Sequence, residues 1–93
     1  MNDPFWVKAF NVITIEQIRA ARALVGWSQS ELADRARLSL PTVKRAEQAD
    51  GTPVSDDARS KLQRALESAG VVFINENGGG AGVRLKKRRG SKP

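Results

Sequence analysis

The 93-residue sequence contains no cysteine, no histidine and no tyrosine. Without cysteine there is no disulfide framework. Without cysteine or histidine there is no zinc site of the usual N/S kind, and no nucleophile or base built on a thiol or an imidazole. Aromatic residues are scarce, three Phe and two Trp. No apolar run reaches the length of about 18 residues that a membrane span needs. The N-terminus lacks the basic, then apolar, then small-residue order of a secretory signal. Together these absences point to a cytoplasmic domain with no cofactor, no metal, no small-molecule ligand and no membrane partner. The chain has the length of one small domain.

Charge is distributed unevenly. The chain has 16 Lys+Arg against 10 Asp+Glu, a net of +6. Residues 1–77 hold ten basic and ten acidic side chains. The whole excess lies in Arg84, Lys86, Lys87, Arg88, Arg89 and Lys92. The reading is a neutral domain with a basic tail, and a polyanion such as nucleic acid is the natural partner of such a tail.

Residues 1–13 carry Phe5, Trp6, Ala9, Phe10 and Ile13 at spacings that fit one face of a short helix, with an extended arm as the alternative. They serve as a packing segment or a dimer contact. Thr14 and Gln17 form a capping box, followed by a buried stripe of Ile15, Ile18, Ala21, Leu24 and Val25. Gly26 ends that helix, because glycine takes the left-handed conformation without a Cβ clash. Ser28 and Glu31 form a second capping box for a short helix running to about Ala36. Ser39 caps a third helix of about residues 39–49, with Pro41 in its first turn. Ser55 caps a fourth, with Asp56 and Asp57 favoured by the helix dipole and Ala58, Leu62, Ala65, Leu66 and Ala69 as its apolar stripe. After Gly70 the period changes. Val71–Ile74 and Val83–Leu85 read as two strands joined by a glycine-rich turn, and the residues from Lys86 onward have too little apolar content to pack.

The informative stretch is Ser28 to Glu47, SQSELADRARLSLPTVKRAE. Two short helices meet at a tight turn. Ala33 supplies the small side chain needed at a close crossing, and Leu38 and Val43 pin the pair together. Such a pair presents its second helix to the DNA major groove. From Arg35 to Ala46 there are four basic residues and no acid, so the neutral domain still has a positive face.

These residues resemble the helix-turn-helix family of Cro and phage-repressor type, also called the XRE family. The resemblance runs from about Ile15 to Pro53, more loosely to Gly70. It rests on Arg22, Trp27-Ser28-Gln29, Glu31-Leu32-Ala33, Leu38-Ser39, Thr42-Val43, Arg45 and Glu47. The chain departs from the family pattern at Arg37, where glycine is common, and at Leu40 and Pro41, which stand where amide side chains often read adenine. The resemblance implies a mainly α fold: a four- to five-helix phage-repressor-like domain followed by a short C-terminal β-hairpin and a disordered basic tail. The expected division is an N-terminal apolar segment at 1–13, a DNA-binding domain at 14–70, a hairpin and candidate dimerisation element at 71–85, and a basic tail at 86–93.

The resemblance also implies roles. Ser39, Leu40, Pro41, Thr42, Lys44 and Arg45 would face base edges. Leu40 and Pro41 would lie on thymine methyls, Lys44 would reach guanine, and Arg45 would meet base or phosphate. Ser28, Gln29, Arg35 and Arg37 would contact phosphates. Glu47 is read as structural, pairing with an arginine such as Arg22, and Trp27 as core. The expected function is sequence-specific binding of a palindromic double-stranded DNA operator by a homodimer, in a transcriptional repressor or activator of a phage, plasmid or other mobile element. The dimer would form through either the hairpin or the N-terminal stripe. The alternative is an antitoxin-type module that binds a protein partner, a toxin, and autoregulates its operon. The scattered carboxylates and the lack of a glycine-rich loop after a strand argue against an enzyme.

Overall fold

The computed structural model describes residues 13–50 and 54–87. Four helices come first: α1 (Ile15–Val25), α2 (Gln29–Ala36), α3 (Leu40–Ala46) and α4 (Asp56–Ser68). Two antiparallel strands follow, β1 (Val71–Ile74) and β2 (Gly82–Leu85), with Val71 opposite Leu85 and Ile74 opposite Gly82. The stripe of Phe5, Trp6, Ala9 and Phe10, and the tail from Arg88, lie outside the described residues. Ile13, the last residue of the N-terminal segment, is buried.

Local chemistry sets the helix ends. Both capping boxes form, with the Thr14 hydroxyl accepting from the Gln17 amide at 3.0 Å and the Ser28 hydroxyl from the Glu31 amide at 3.0 Å. Ser39 and Ser55 cap α3 and α4 through the Thr42 and Ala58 amides. At the C-terminal ends, α1 and α2 close with the same two-bond motif. The Trp27 and Gly26 amides donate to the Arg22 and Ala23 carbonyls, and the Leu38 and Arg37 amides to the Ala33 and Asp34 carbonyls. That motif requires a left-handed residue. Gly26 supplies it at φ 73°, but in α2 it is Arg37 that stands at φ 58°.

The core is aliphatic. Ile18, Leu32, Val43, Leu62 and Leu66 are fully enclosed, with Ala21, Ala33, Ala36 and Ala46 between them where helices approach closely. Each large side chain contributes about 1.5–3 kcal/mol by leaving water. Helix α2 packs on both α3 and α4, which fixes the helix-turn-helix against the rest of the chain. Val71 completes the core, and Phe73, Val83 and Leu85 pack against it from one face of the hairpin. Val72, Ile74 and Arg84 fall on the other face by the two-residue period of a strand.

Several expectations need correction. The third helix ends at Ala46 instead of about residue 49; its last turn tightens, with the Gln48 amide reaching back to the Arg45 carbonyl, and Gln48, Ala49 and Asp50 are all exposed, so a further turn would bury nothing. Strand β2 begins at Gly82, one residue earlier than read. Ala69 lies beyond α4 and is exposed, and Ala65, Ile15, Leu24 and Val25 are half-buried. Trp27 is also only half-buried. Its ring packs against the core on one side and carries the Arg35 guanidinium, 5.1 Å from the ring centroid, so the indole keeps a wet side.

Gln17 does more than close a capping box. Its Oε1 accepts from the Thr14 amide at 2.8 Å. Its Nε2 donates to the carbonyls of Ile74 (3.1 Å) and Gly82 (2.9 Å), the last pair of the strand register. One buried amide thereby fastens the glycine-rich end of the hairpin to the start of α1. The Lys86 amide closes the other end on the Gly70 carbonyl at 2.7 Å.

The left-handed Arg37 costs about 1 kcal/mol that glycine would not. Arg37→Gly is expected to raise the thermal midpoint, followed by far-UV circular dichroism, by about 4–8 °C in a domain of this size. An unchanged or lower midpoint would show that contacts of the Arg37 side chain outweigh the backbone strain.

Candidate nucleic-acid interface

Ser39, Leu40, Pro41, Thr42, Lys44 and Arg45 all fall on α3 or its cap. Ser39, Pro41, Lys44 and Arg45 are exposed, while Leu40 and Thr42 are half-buried. Leu40 therefore presents only part of its side chain, less than an apolar residue expected to be exposed. The opposite side of α3 carries Val43 and Ala46 into the core, so the polar face points out of the domain. The Ser39 and Thr42 hydroxyls lie 2.8 Å apart, and Arg45 Nη2 approaches the Thr42 hydroxyl at 3.4 Å. The side chains of Ser39, Thr42 and Arg45 thus form one hydrogen-bonded strip with Lys44 next to it in sequence.

The four residues expected on phosphates divide into two pairs. Ser28 and Gln29 start α2, and Arg35 and Arg37 end it, so their backbones are separated by the length of an eight-residue helix, about 12 Å, although the Arg35 guanidinium lies over the ring of Trp27. At the start, the Ser28 amide donates to the Glu31 carboxylate at 2.9 Å. The Ser28 amide and then the Ser28 hydroxyl hold the Glu31 carboxyl below its ordinary range, which keeps a negative charge at the positive end of the α2 dipole.

The centre of the site is Glu47. It caps α3 and is only 7% exposed. Its carboxylate accepts from Arg22 Nε at 2.7 Å and Arg22 Nη2 at 2.9 Å, a bidentate pair, and from Gln29 Nε2 at 3.0 Å. Arg22 Nη1 turns to the Trp27 carbonyl at 3.0 Å. The hydrogen bond that Arg22 donates to Glu47 is the leading cause that raises the Arg22 pKa above its already high ordinary value. One carboxylate thus joins α1, the start of α2 and the end of α3. The pairing of Glu47 with Arg22 follows the reading of these residue types. The share taken by Gln29 was not legible, since its amide points to Glu47, 18 positions away. A phosphate approaching Gln29 would meet an amide already oriented by that bond.

The carboxylate, once desolvated, depends on these donors. Removing one partner of a buried pair costs about 3–5 kcal/mol, because the other is left uncompensated. Glu47→Ala is expected to fall at the lower end, about 3 kcal/mol by urea denaturation, since Arg22 keeps some contact with water: its side chain is 25% exposed. A loss under about 1 kcal/mol would show that the three helices hold their angles without the carboxylate.

Comparison with known proteins agrees with this geometry. No curated protein matches the chain. A family model described as helix-turn-helix matches residues 18–67, which takes in all of α2 and α3, the Arg22–Glu47 pair and most of α4. The chain belongs to the helix-turn-helix family of Cro and phage-repressor type, and its fold is that of a DNA-binding transcriptional regulator.

Proposed function

We propose that the protein recognises a palindromic operator in double-stranded DNA as a homodimer, with α3 in the major groove. The observation that carries the proposal is the outward strip from Ser39 to Arg45 on a helix whose inner side is locked by Val43, Ala46 and Glu47. A helix held at both ends can present side chains to base edges at a fixed angle. Lys44 donates to guanine, and Pro41 with the exposed part of Leu40 lies on thymine methyls. Arg45, tied loosely to Thr42, serves base or phosphate. Ser28 and Gln29 take one phosphate run and Arg35 and Arg37 another, which sets register while α3 sets sequence.

The hairpin is the proposed dimerisation element. Two strands alone are marginal, and here one face is committed to the core while Ile74, the one exposed large apolar side chain among the described residues, lies on the other. A dimer matches the two-fold symmetry of a palindrome, with half-site centres one helical turn or about 10 bp apart. The antitoxin reading would require a protein partner on that same hairpin face. Regulation of a phage, plasmid or other mobile element fits a small domain of this kind.

Selection of binding sequences from a random duplex pool, followed by footprinting, is expected to return two inverted half-sites about 10 bp apart. The double substitution Leu40→Ala, Lys44→Ala is expected to cost about 1–3 kcal/mol of discrimination per lost base contact while leaving binding to random duplex nearly unchanged. A single asymmetric site would contradict the dimer. Undiminished discrimination in the double variant would contradict the assignment of α3.

A further inference from the structure

We infer that the groove between the end of α2 and the middle of α4 is a second phosphate-binding surface, one that holds the DNA backbone flanking the base pairs read by α3. The inference rests on the proposed DNA-binding function and extends it to two residues, Lys61 and Arg64, that no sequence motif singles out.

The groove has a volume of about 430 Å³. Arg35 and Arg37 line it from the α2 side and Lys61 and Arg64 from α4, over a floor that includes Ala36 and Ala65. No carboxylate belongs to its lining. Arg35, Arg37 and Arg64 are exposed, and among the described residues none of the three has an acidic side chain within ion-pair distance. Lys61 has one, Asp57 at 3.2 Å, but that carboxylate is itself 75% exposed and its pair with Lys61 is a solvent-screened one along the helix. Four cations line this groove from two helices, with Asp57 paired to Lys61, Glu31 feeling the charge of Arg35, and the Arg35 guanidinium lying over the Trp27 ring. Converging like charges in a concave surface raises the local potential and draws in a polyanion.

Two features favour DNA over other polyanions. Arg37 lines the groove and lies two residues before Ser39, the cap of α3, so one wall of the groove leads along the chain into the proposed reading helix. Arg37 also occupies a left-handed backbone position that glycine would take without strain. An arginine kept there places a guanidinium at the junction of groove and reading helix at the expense of fold stability. Guanidinium groups suit phosphate because they present paired donors to two oxygens. The small floor residues let a phosphodiester approach both helices.

The test uses the full chain and a random-sequence 40-bp duplex, with affinity measured by fluorescence anisotropy across a salt series. Three proteins are compared: the unaltered chain, Lys61→Gln with Arg64→Gln, and a control of equal charge change, Arg19→Glu. All three residues lie on regular elements, and circular dichroism melting checks that each variant folds. Each lost phosphate contact lowers the slope of log affinity against log salt by about 0.9. The groove variant is expected to lose about 1.8 in slope, which makes its fall in affinity between 50 and 200 mM salt about tenfold smaller than that of the unaltered chain. The control is expected to lose less than half as much slope. An unchanged slope in the groove variant, or an equal loss in the control, would overturn the inference. If the groove variant kept its slope on DNA and lost binding to polyglutamate, the groove would belong to an acidic protein segment and the inference would again fail. Failure of the unaltered chain to bind duplex at all would overturn the DNA-binding proposal along with it, whereas the other outcomes leave that proposal standing.

Discussion

The carboxylate of Glu47 is the constraint on which the arrangement of helices depends. It sits in the interior at the end of a seven-residue helix, and α3 is too short to be stable by itself. Its direction is set at one end by the Ser39 cap and the turn at Arg37. At the other end it is set by a bidentate arginine from α1 and an amide from α2. Apolar contacts through Val43 and Ala46 hold α3 against the core, but small side chains tolerate sliding. Directional hydrogen bonds to a buried charge do not, since misalignment leaves the charge unpaired. The bonds therefore fix an angle, and reading base edges requires a fixed angle.

The same division of labour recurs in the hairpin. Phe73, Val83 and Leu85 give it an apolar side, while Gln17 and the Lys86 amide fix where it sits. Gln17 closes the cap of α1 with its oxygen and clasps both strands with its nitrogen, so the first turn of the first helix and the last element of the described chain are one structural unit. Among the described residues no buried side-chain nitrogen or oxygen lacks a partner. A small core with few aromatic residues can achieve its specificity through such bonds, where interlocking large rings would otherwise supply it.

Elements determined by chemistry within a few residues were legible in the sequence. Thr14 with Gln17, Ser28 with Glu31, Ser39 with Pro41, Ser55 and Gly26 announce helix ends because each cap works over three or four positions. The left-handed position at Arg37 was legible too, although the residue there is not the one the turn prefers. The Arg22–Glu47 pair could be read from residue type, since a carboxylate in that motif needs a cation. What escaped depends on tertiary approach. Nothing local says that Gln17 meets carbonyls 57 and 65 positions away, or that the Gln29 amide turns inward. The early end of α3 escaped because helical periodicity carries on through Ala49 when no partner is in view. The meeting of Lys61 and Arg64 with Arg35 and Arg37 arises only when α2 packs on α4.

In the proposed function α3 reads and the hairpin assembles, on separate surfaces of the domain. The measurement that bears most directly on this is a nitrogen-15 chemical-shift titration of the full chain with duplex DNA carrying its selected site. The account predicts that the amides of Ser39, Leu40, Thr42 to Arg45, Ser28 and Gln29 shift together, while those of Val72 and Ile74 on the outer hairpin face stay in place. Shifts confined to the hairpin and to Lys86 and Lys87, with α3 silent, would contradict it.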